Sequence, residues 1–224
     1  MANTVVDVKD LSRSFGGKTA LDGVSFHAGA GQVYGLVGAN GAGKTTLLKH
    51  LLGLLRATTG SVRVFGLDPV RDPVGVLSRV GYLSEERELP EWMRVDELMR
   101  YTQAYHPTWD GSYARELLES FGLDPSKKVK ELSRGMRAQA GLIAAVAHRP
   151  ELLILDEPSS GLDAVVRRDI LDAIVRTVAD DGRTVIFSSH LLEEVERMSD
   201  HLTMLHDGRV VVISRGYVLR SVGG

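Results

Sequence analysis

One eight-residue segment constrains this chain more than any other: Gly38-Ala39-Asn40-Gly41-Ala42-Gly43-Lys44-Thr45. It fits the pattern G-x-x-x-x-G-K-[ST], and its flanks matter as much as its letters. Residues 32–37 are a short apolar run of the kind that forms a buried strand. Residues 44–55 are rich in helix formers, with Gly53 weakening their end. A strand that enters a glycine loop and leaves it as a helix is the setting a phosphate-binding loop requires. Chance alone produces the pattern in roughly one chain per hundred of this length. Glycines let the backbone wrap phosphates without Cβ clashes, and the loop amides and helix start favour an anion. Gly38, Asn40, Gly41, Ala42, Gly43, Lys44, Thr45 and Thr46 are therefore the expected nucleotide-binding set. Lys44 is expected on the β- and γ-phosphates and Thr45 on Mg²⁺.

A second segment supplies what hydrolysis needs. Leu152-Leu153-Ile154-Leu155 reads as a buried strand, and it runs directly into Asp156-Glu157-Pro158. Alone, such a strand could simply end in exposed acids. Beside a phosphate loop, Asp156 is expected to hold Mg²⁺ through water, and Glu157 to act as general base on the attacking water.

Composition narrows the class. The 224 residues fit one large domain, or one domain with an inserted lobe, and 43% are apolar. A net charge of -2 gives no bulk reason to expect a nucleic-acid partner, and the lack of cysteine excludes disulfides and cysteine metal sites. The longest apolar stretch, around 141–147, is far short of the roughly 20 residues of a membrane span. Residues 1–8 alternate like a strand and lack the basic start and apolar run of a signal peptide, so a soluble intracellular protein is expected.

The remaining chain alternates. Strands are expected at 4–8, 24–27, 60–65 and 79–83, with a turn-rich stretch at 14–19. From 90 to 149 the spacing becomes helical, at 94–105, 113–121 and 135–147. A strand at 152–155, a helix at 164–180, a strand at 184–188 and a helix at 191–198 follow. Asp207-Gly208 then marks a hairpin between 202–205 and 209–213.

A third segment, Leu132-Ser133-Arg134-Gly135-Met136-Arg137-Ala138-Gln139, opens the last helix of the insertion. By itself Ser133 reads as an N-cap. Its place, inside a helical insertion and just upstream of the carboxylate strand, makes more of it. From about Val5 to Ile213 the chain resembles the nucleotide-binding domain of ATP-binding cassette (ABC) transporters. The resemblance implies an α/β P-loop NTPase fold. Its RecA-like mixed-sheet core and N-terminal antiparallel β subdomain would occupy 1–85 and 150–224, and an inserted α-helical subdomain about 86–149. It also implies ATP and Mg²⁺ as ligands.

Further positions follow from the resemblance. Phe15 matches the aromatic that stacks on adenine, although unaided it is as readily a core residue. Ser133 and Gly135 match the pair that contacts phosphate, and Ser160-Gly161-Leu162-Asp163 the loop that crosses the dimer interface. Ser188-Ser189-His190 matches the switch segment, with His190 on the γ-phosphate. Tyr82-Leu83-Ser84-Glu85 matches the link between core and helical lobe, where the family normally carries glutamine; Glu85 could still ligate Mg²⁺. Arg134 and Met136 depart from the usual Leu-Ser-Gly-Gly-Gln. His106-Pro107-Thr108-Trp109-Asp110 looks like bacterial Ytr-type and drug- or antibiotic-resistance exporters. Trp92, Tyr101 and Tyr105 lie where relatives meet the coupling helices of a permease, or else form lobe core.

The implied machine is a head-to-tail dimer, with itself or a paralogous subunit. It would sandwich ATP and power a separate transmembrane permease from the cytoplasmic face of the membrane, as an exporter. Non-transport relatives that act on ribosomes, DNA or protein complexes commonly fuse two cassettes or insert long coiled coils. Neither feature stands in these 224 residues, so transport is the expectation.

Overall fold

Strands and helices alternate along most of the chain: β1 (Thr4–Phe15), β2 (Lys18–Gly29), β3 (Val33–Val37), α1 (Lys44–Leu51), β4 (Thr59–Val64), α2 (Pro73–Leu77), β5 (Val80–Leu83), α3 (Val95–Gln103), α4 (Gly111–Ser120), α5 (Arg134–Val146), β6 (Leu152–Leu155), α6 (Ala164–Asp181), β7 (Thr184–Ser189), α7 (Leu192–Met198), β8 (His201–His206) and β9 (Arg209–Arg215). The computed structural model describes residues 4–86 and 88–215, and the backbone alone at 175–181 and 213–215. The strands form two sheets. One is antiparallel, in the order β2-β1-β4; the other is six-stranded, β5-β6-β7-β3-β8-β9, parallel except for its final hairpin pair.

Every residue of β3, β6 and β7 is buried. Helices or a second sheet cover both faces of such strands, which is why they read as unbroken apolar runs. Alternate residues serve opposite layers. Tyr34, Leu36, Leu152, Ile154 and Ile186 pack with α1 and the antiparallel sheet. Val33, Val37, Leu153, Leu155, Val185 and Phe187 pack with residues of α5, α6 and α7. Leu47, Leu48 and Leu51 put one face of α1 into the first layer, each contributing about 2 kcal/mol by area burial. Asp22 and Arg209 tie the two sheets together by a 2.6 Å ion pair, beside a 2.8 Å bond from the Asp22 amide to the Gly208 carbonyl.

The helical stretch has a core of its own, built from α3, α4 and α5 around Val95, Leu98, Leu118 and Ile143. Helix α5 serves two cores at once. Ala138 and Leu142 face the sheet, while Ala140 and Ile143 face the other helices. Among the described residues, no helix is long and apolar enough to cross a membrane.

Several boundaries differ from the expectations. Strands β1 and β2 are far longer than 4–8 and 24–27. Register shifts between Val8 and Leu11, where Asp10 takes a φ of 48°, let the ladder continue through polar residues. Helix α1 stops at Leu51 rather than 55, because the chain turns through Gly53 at a φ of 70°. Helix α2 has five residues, too few for a periodic signal, and sequence reasoning did not find it.

Candidate active site

Parallel pairing decides where the chemistry collects. Val37 lies beside Ser189, Leu155 beside Phe187, and Leu83 beside Leu155. The carboxyl ends of β3, β5, β6 and β7 therefore share one edge, the place where open α/β sheets bind ligands. The glycine loop leaves from β3, Glu85 follows β5, Asp156 and Glu157 follow β6, and His190 follows β7.

The loop is shaped for close approach. Gly43 caps α1 in the left-handed region, with φ 107°. A Cβ there would stand 2.7 Å from the Ala20 carbonyl oxygen and 2.8 Å from Leu21 Cδ2. No acidic residue occupies the first turn of α1, so its amides and positive end are left to an outside anion. Lys44 is only 6% exposed. Its Nζ donates to the carbonyls of Gly38 (2.6 Å) and Ala39 (3.3 Å), and it lies 3.1 Å from Glu157 Oε1. The Ala42 amide donates to the Ala39 carbonyl at 3.1 Å, which closes the turn. A cavity of about 170 Å³ opens here, lined by Asn40, Gly41, Gly43, Lys44, Thr45, Thr46, Glu85 and Glu157.

The two carboxylates are held differently. Asp156 is 1% exposed and does not line that cavity; its amide donates to the Leu83 carbonyl at 2.8 Å. Ser188 Oγ donates to Asp156 Oδ1 at 2.6 Å and accepts the Glu157 amide at 2.8 Å. Glu157 adopts a φ of 48°, which costs a residue with a Cβ about 1 kcal/mol or more. Its carboxylate, 3% exposed as a residue, lies between Lys44 and His190, whose Nδ1 is 2.8 Å from Oε2. Ser188 is the bridging residue whose contacts sequence reasoning missed. The available signal was a pair of serines ending a fully buried apolar strand.

The donor set fits a magnesium ion. Thr45, Glu85 and Asp156 offer oxygen only, which suits a hard cation. Among the described residues there is no group of three or more His, Cys, Asp or Glu able to hold a metal alone. Mg²⁺ typically takes one or two carboxylates and completes its shell from phosphate and water. Beside this edge, burial and the neighbouring Asp156 and Glu86 carboxylates push the Tyr82 phenol up to about 12, so it stays protonated at neutral pH.

The other expected residues lie elsewhere. Ser133 caps α5, its Oγ accepting the Met136 amide at 3.2 Å. Gly135 is buried, but Ser133 and Arg134 are exposed. Asp163 caps α6, accepting the Val165 and Val166 amides at 3.0 Å each. None of these residues lines the loop cavity. Phe15 is 44% exposed with the Arg13 guanidinium 4.7 Å from its ring centroid, so it is no core residue. Trp92, Tyr101 and Tyr105 are 71%, 48% and 65% exposed, which removes the lobe-core reading for them.

Comparison with known proteins identifies the family. The family model described as ABC transporter matches residues 21–160. The ABC transporter ATP-binding protein YtrB of Bacillus subtilis (strain 168) is 32% identical over 203 residues, spanning 91% of this chain and 69% of that protein. The daunorubicin resistance ATP-binding protein DrrA3 of Streptomyces coeruleorubidus is 37% identical over 216 residues, spanning 94% and 68%. Among solved structures, an ATP-binding subunit of an ABC transporter superposes with a TM-score of 0.87 at 29% identity, covering 98% of this chain and 93% of that one. A dimeric bacterial ABC transporter cassette, MJ0796, shares the fold with a TM-score of 0.83 at 21% identity, over 94% and 98% of the two chains. With a glycine-rich loop, a buried carboxylate pair and a histidine converging on one sheet edge, and with relatives of this kind along nearly its whole length, the chain belongs to the ABC transporter family of ATP-binding proteins.

Proposed function

We propose that this chain is the ATP-hydrolysing subunit of an exporter. In this reading it dimerises head to tail around ATP and drives a separate membrane permease. The observation that carries the proposal is Glu157, a buried carboxylate that faces the loop cavity between Lys44 and His190. The loop amides and Lys44 bind the β- and γ-phosphates of ATP, and the Phe15 ring stacks on adenine. Glu157 takes a proton from the water that attacks the γ-phosphorus, while His190 fixes the carboxylate and contacts the γ-phosphate. Thr45, Glu85 and Asp156, the last through water, would hold Mg²⁺, and the ion would supply neutralisation of charge on the phosphate oxygens.

Ser133, Gly135 and Asp163 act across the dimer, from a second copy or a paralogous subunit. ATP favours the closed pair because its γ-phosphate is contacted from both sides, and hydrolysis removes that differential contact. The permease docks over the seam between sheet and helices, an 820 Å³ groove lined by Val74, Leu77, Leu89 and Tyr105 among others, on the cytoplasmic face of the membrane. The names of the relatives support the export direction: one is a daunorubicin resistance protein, another a bacitracin transport ATP-binding protein of Bacillus licheniformis.

The test is Glu157→Gln. Its turnover should fall by about 10²- to 10⁴-fold, the span of general-base effects, with ATP still bound. Light scattering should then show an ATP-Mg²⁺-dependent dimer. A tagged form drawn from native membranes should carry a polytopic membrane protein that a Lys44→Ala control does not. Undiminished turnover removes the base assignment, and capture of ribosomal or DNA-repair components instead removes the transport reading.

A further inference from the structure

Glu194 belongs to no motif, and it lies outside the loop cavity, yet it gathers three segments of the chain. Its side chain is 10% exposed. Oε2 accepts two hydroxyls, Ser159 Oγ at 2.7 Å and Ser189 Oγ at 3.0 Å. Oε1 stands 3.6 Å from Arg167 Nε, and Arg167 also donates from Nη2 to the Leu162 carbonyl at 3.3 Å. Ser159 is two residues after Glu157, Ser189 is one before His190, and Arg167 is four after Asp163. Glu157 and His190 meet each other at 2.8 Å.

These contacts close a ring: Glu157, Pro158, Ser159, Glu194, Ser189, His190 and back to Glu157. Both serines are fully enclosed, at 3% and 1% exposure. Ser189 is braced further, since its Oγ also accepts the Leu191 amide at 3.0 Å. A carboxylate sequestered this far from water is costly unless paired, and an apolar residue could fill the same volume. What an apolar residue could not do is grip both sides of the Glu157–His190 contact at once. Glu157 sits in the left-handed region, a backbone state that persists only where contacts around it hold it.

We propose that Glu194 is a positioning residue for ATP hydrolysis: it holds the Ser159 and Ser189 hydroxyls so that Glu157 and His190 stay aligned toward the loop cavity, with Arg167 linking this ring to the start of α6. The proposal rests on the ATPase reading above. Glu194 itself touches neither nucleotide nor water in the reaction. Its effect therefore belongs on kcat rather than on ATP binding.

Steady-state ATPase assays and nucleotide titrations on the whole chain test this, with Glu157→Gln as control. In Glu194→Ala, kcat should fall about 10²-fold, the scale on which a misplacement near 1 Å acts, while the Kd for ATP changes less than about twofold. Glu194→Gln should recover about tenfold of the loss, because its amide oxygen can accept both serine hydroxyls. A merely structural role would instead lower Tm and ATP affinity together, and Gln would not rescue kcat selectively. If Glu194→Ala fails to fold, the pair Ser159→Ala/Ser189→Ala removes the same two links with little change in volume, and the same selective loss of kcat is expected. Retained kcat in whichever variant folds, or parallel loss of kcat and ATP affinity, overturns the role of Glu194 alone when the wild type hydrolyses ATP and Glu157→Gln does not. A wild type whose ATPase activity is absent or insensitive to Glu157→Gln overturns the ATPase reading, and this proposal with it.

Discussion

The edge of the parallel sheet and the amino end of α5 are built in opposite ways. At the sheet edge, Lys44, Asp156 and Glu157 are 6%, 1% and 3% exposed, and they answer one another or Ser188 across three strands. At the start of α5, Ser133 and Arg134 are exposed, as is Asp163 at the start of α6. The bonds of Ser133 and Asp163 there go to the nearest amides of their own helices. The first region is finished within one chain. The second is finished as a pair of helix caps, but its polar groups face outward. That is what a surface needs if a second copy is to complete it.

The sharpest way to break this contrast is to place one methyl group in each region. At Gly43 a Cβ meets a φ of 107° and two atoms closer than 3 Å. Gly43→Ala should cost at least about 2.7 kcal/mol of nucleotide binding, or about 10²-fold in ADP affinity of the monomer by calorimetry. At Gly135 the same methyl meets Val166 Cγ1 and Cγ2 at 3.0 Å, side-chain atoms that can shift. Monomer ADP affinity should stay within about twofold there, while turnover falls about tenfold if, as proposed, it needs the second surface. Equal loss of ADP affinity in both variants would mean that the two regions do not divide the work.

The sheet edge was the more legible half because burial on both faces leaves an unmistakable pattern. Leu152–Leu155 and Val33–Val37 are uninterrupted apolar runs, so the residues that follow them could be assigned to a strand end. The hairpin was equally clear: Asp207 and Gly208 take φ values of 46° and 75°, as a two-residue turn with Asp-Gly demands. Strands β1 and β2 were not legible at full length. Polar residues on the outer face of an antiparallel sheet look like loop, and a bulge at Asp10 erases the alternation. Ser188 and Glu194 stayed hidden for another reason. Each acts on residues more than thirty positions away in sequence, Ser188 on Asp156 and Glu194 on Ser159, and only strand order brings them together.

A smaller effect sharpens the second region. Ser133→Ala removes a cap worth about 1 kcal/mol, so Tm should fall by about 2–4 °C in a chain of this size. Ser133→Asp keeps the cap, since aspartate serves that position as well as serine, but sets a carboxylate where a phosphate of the opposed site would lie. Thermal melts should rank Asp with the wild type and Ala below both. ATPase assays should rank wild type above Ala, and Ala above Asp. If turnover follows Tm instead, Ser133 is a helix cap and nothing more.

The least effect is expected at Glu85, which follows β5 of the sheet, leads toward the helices, and lines the loop cavity. It is exposed, so solvent screens its carboxylate, and an exposed charge pair is worth about 0.2–1 kcal/mol. Converting that carboxylate to the amide usual in the family, as Glu85→Gln, should raise the Mg²⁺ concentration for half-maximal ATPase by about threefold, with kcat at saturating metal within about twofold. Binding of Mn²⁺ in the presence of ADP, followed by paramagnetic resonance, reads the same change without turnover. A metal dependence that does not move in either measurement places Glu85 outside the coordination shell and leaves Thr45 and Asp156 to hold the ion. A loss in kcat far larger than the shift in metal affinity would instead make Glu85 part of the coupling between sheet and helices, and the two regions would then be joined through charge rather than through packing alone.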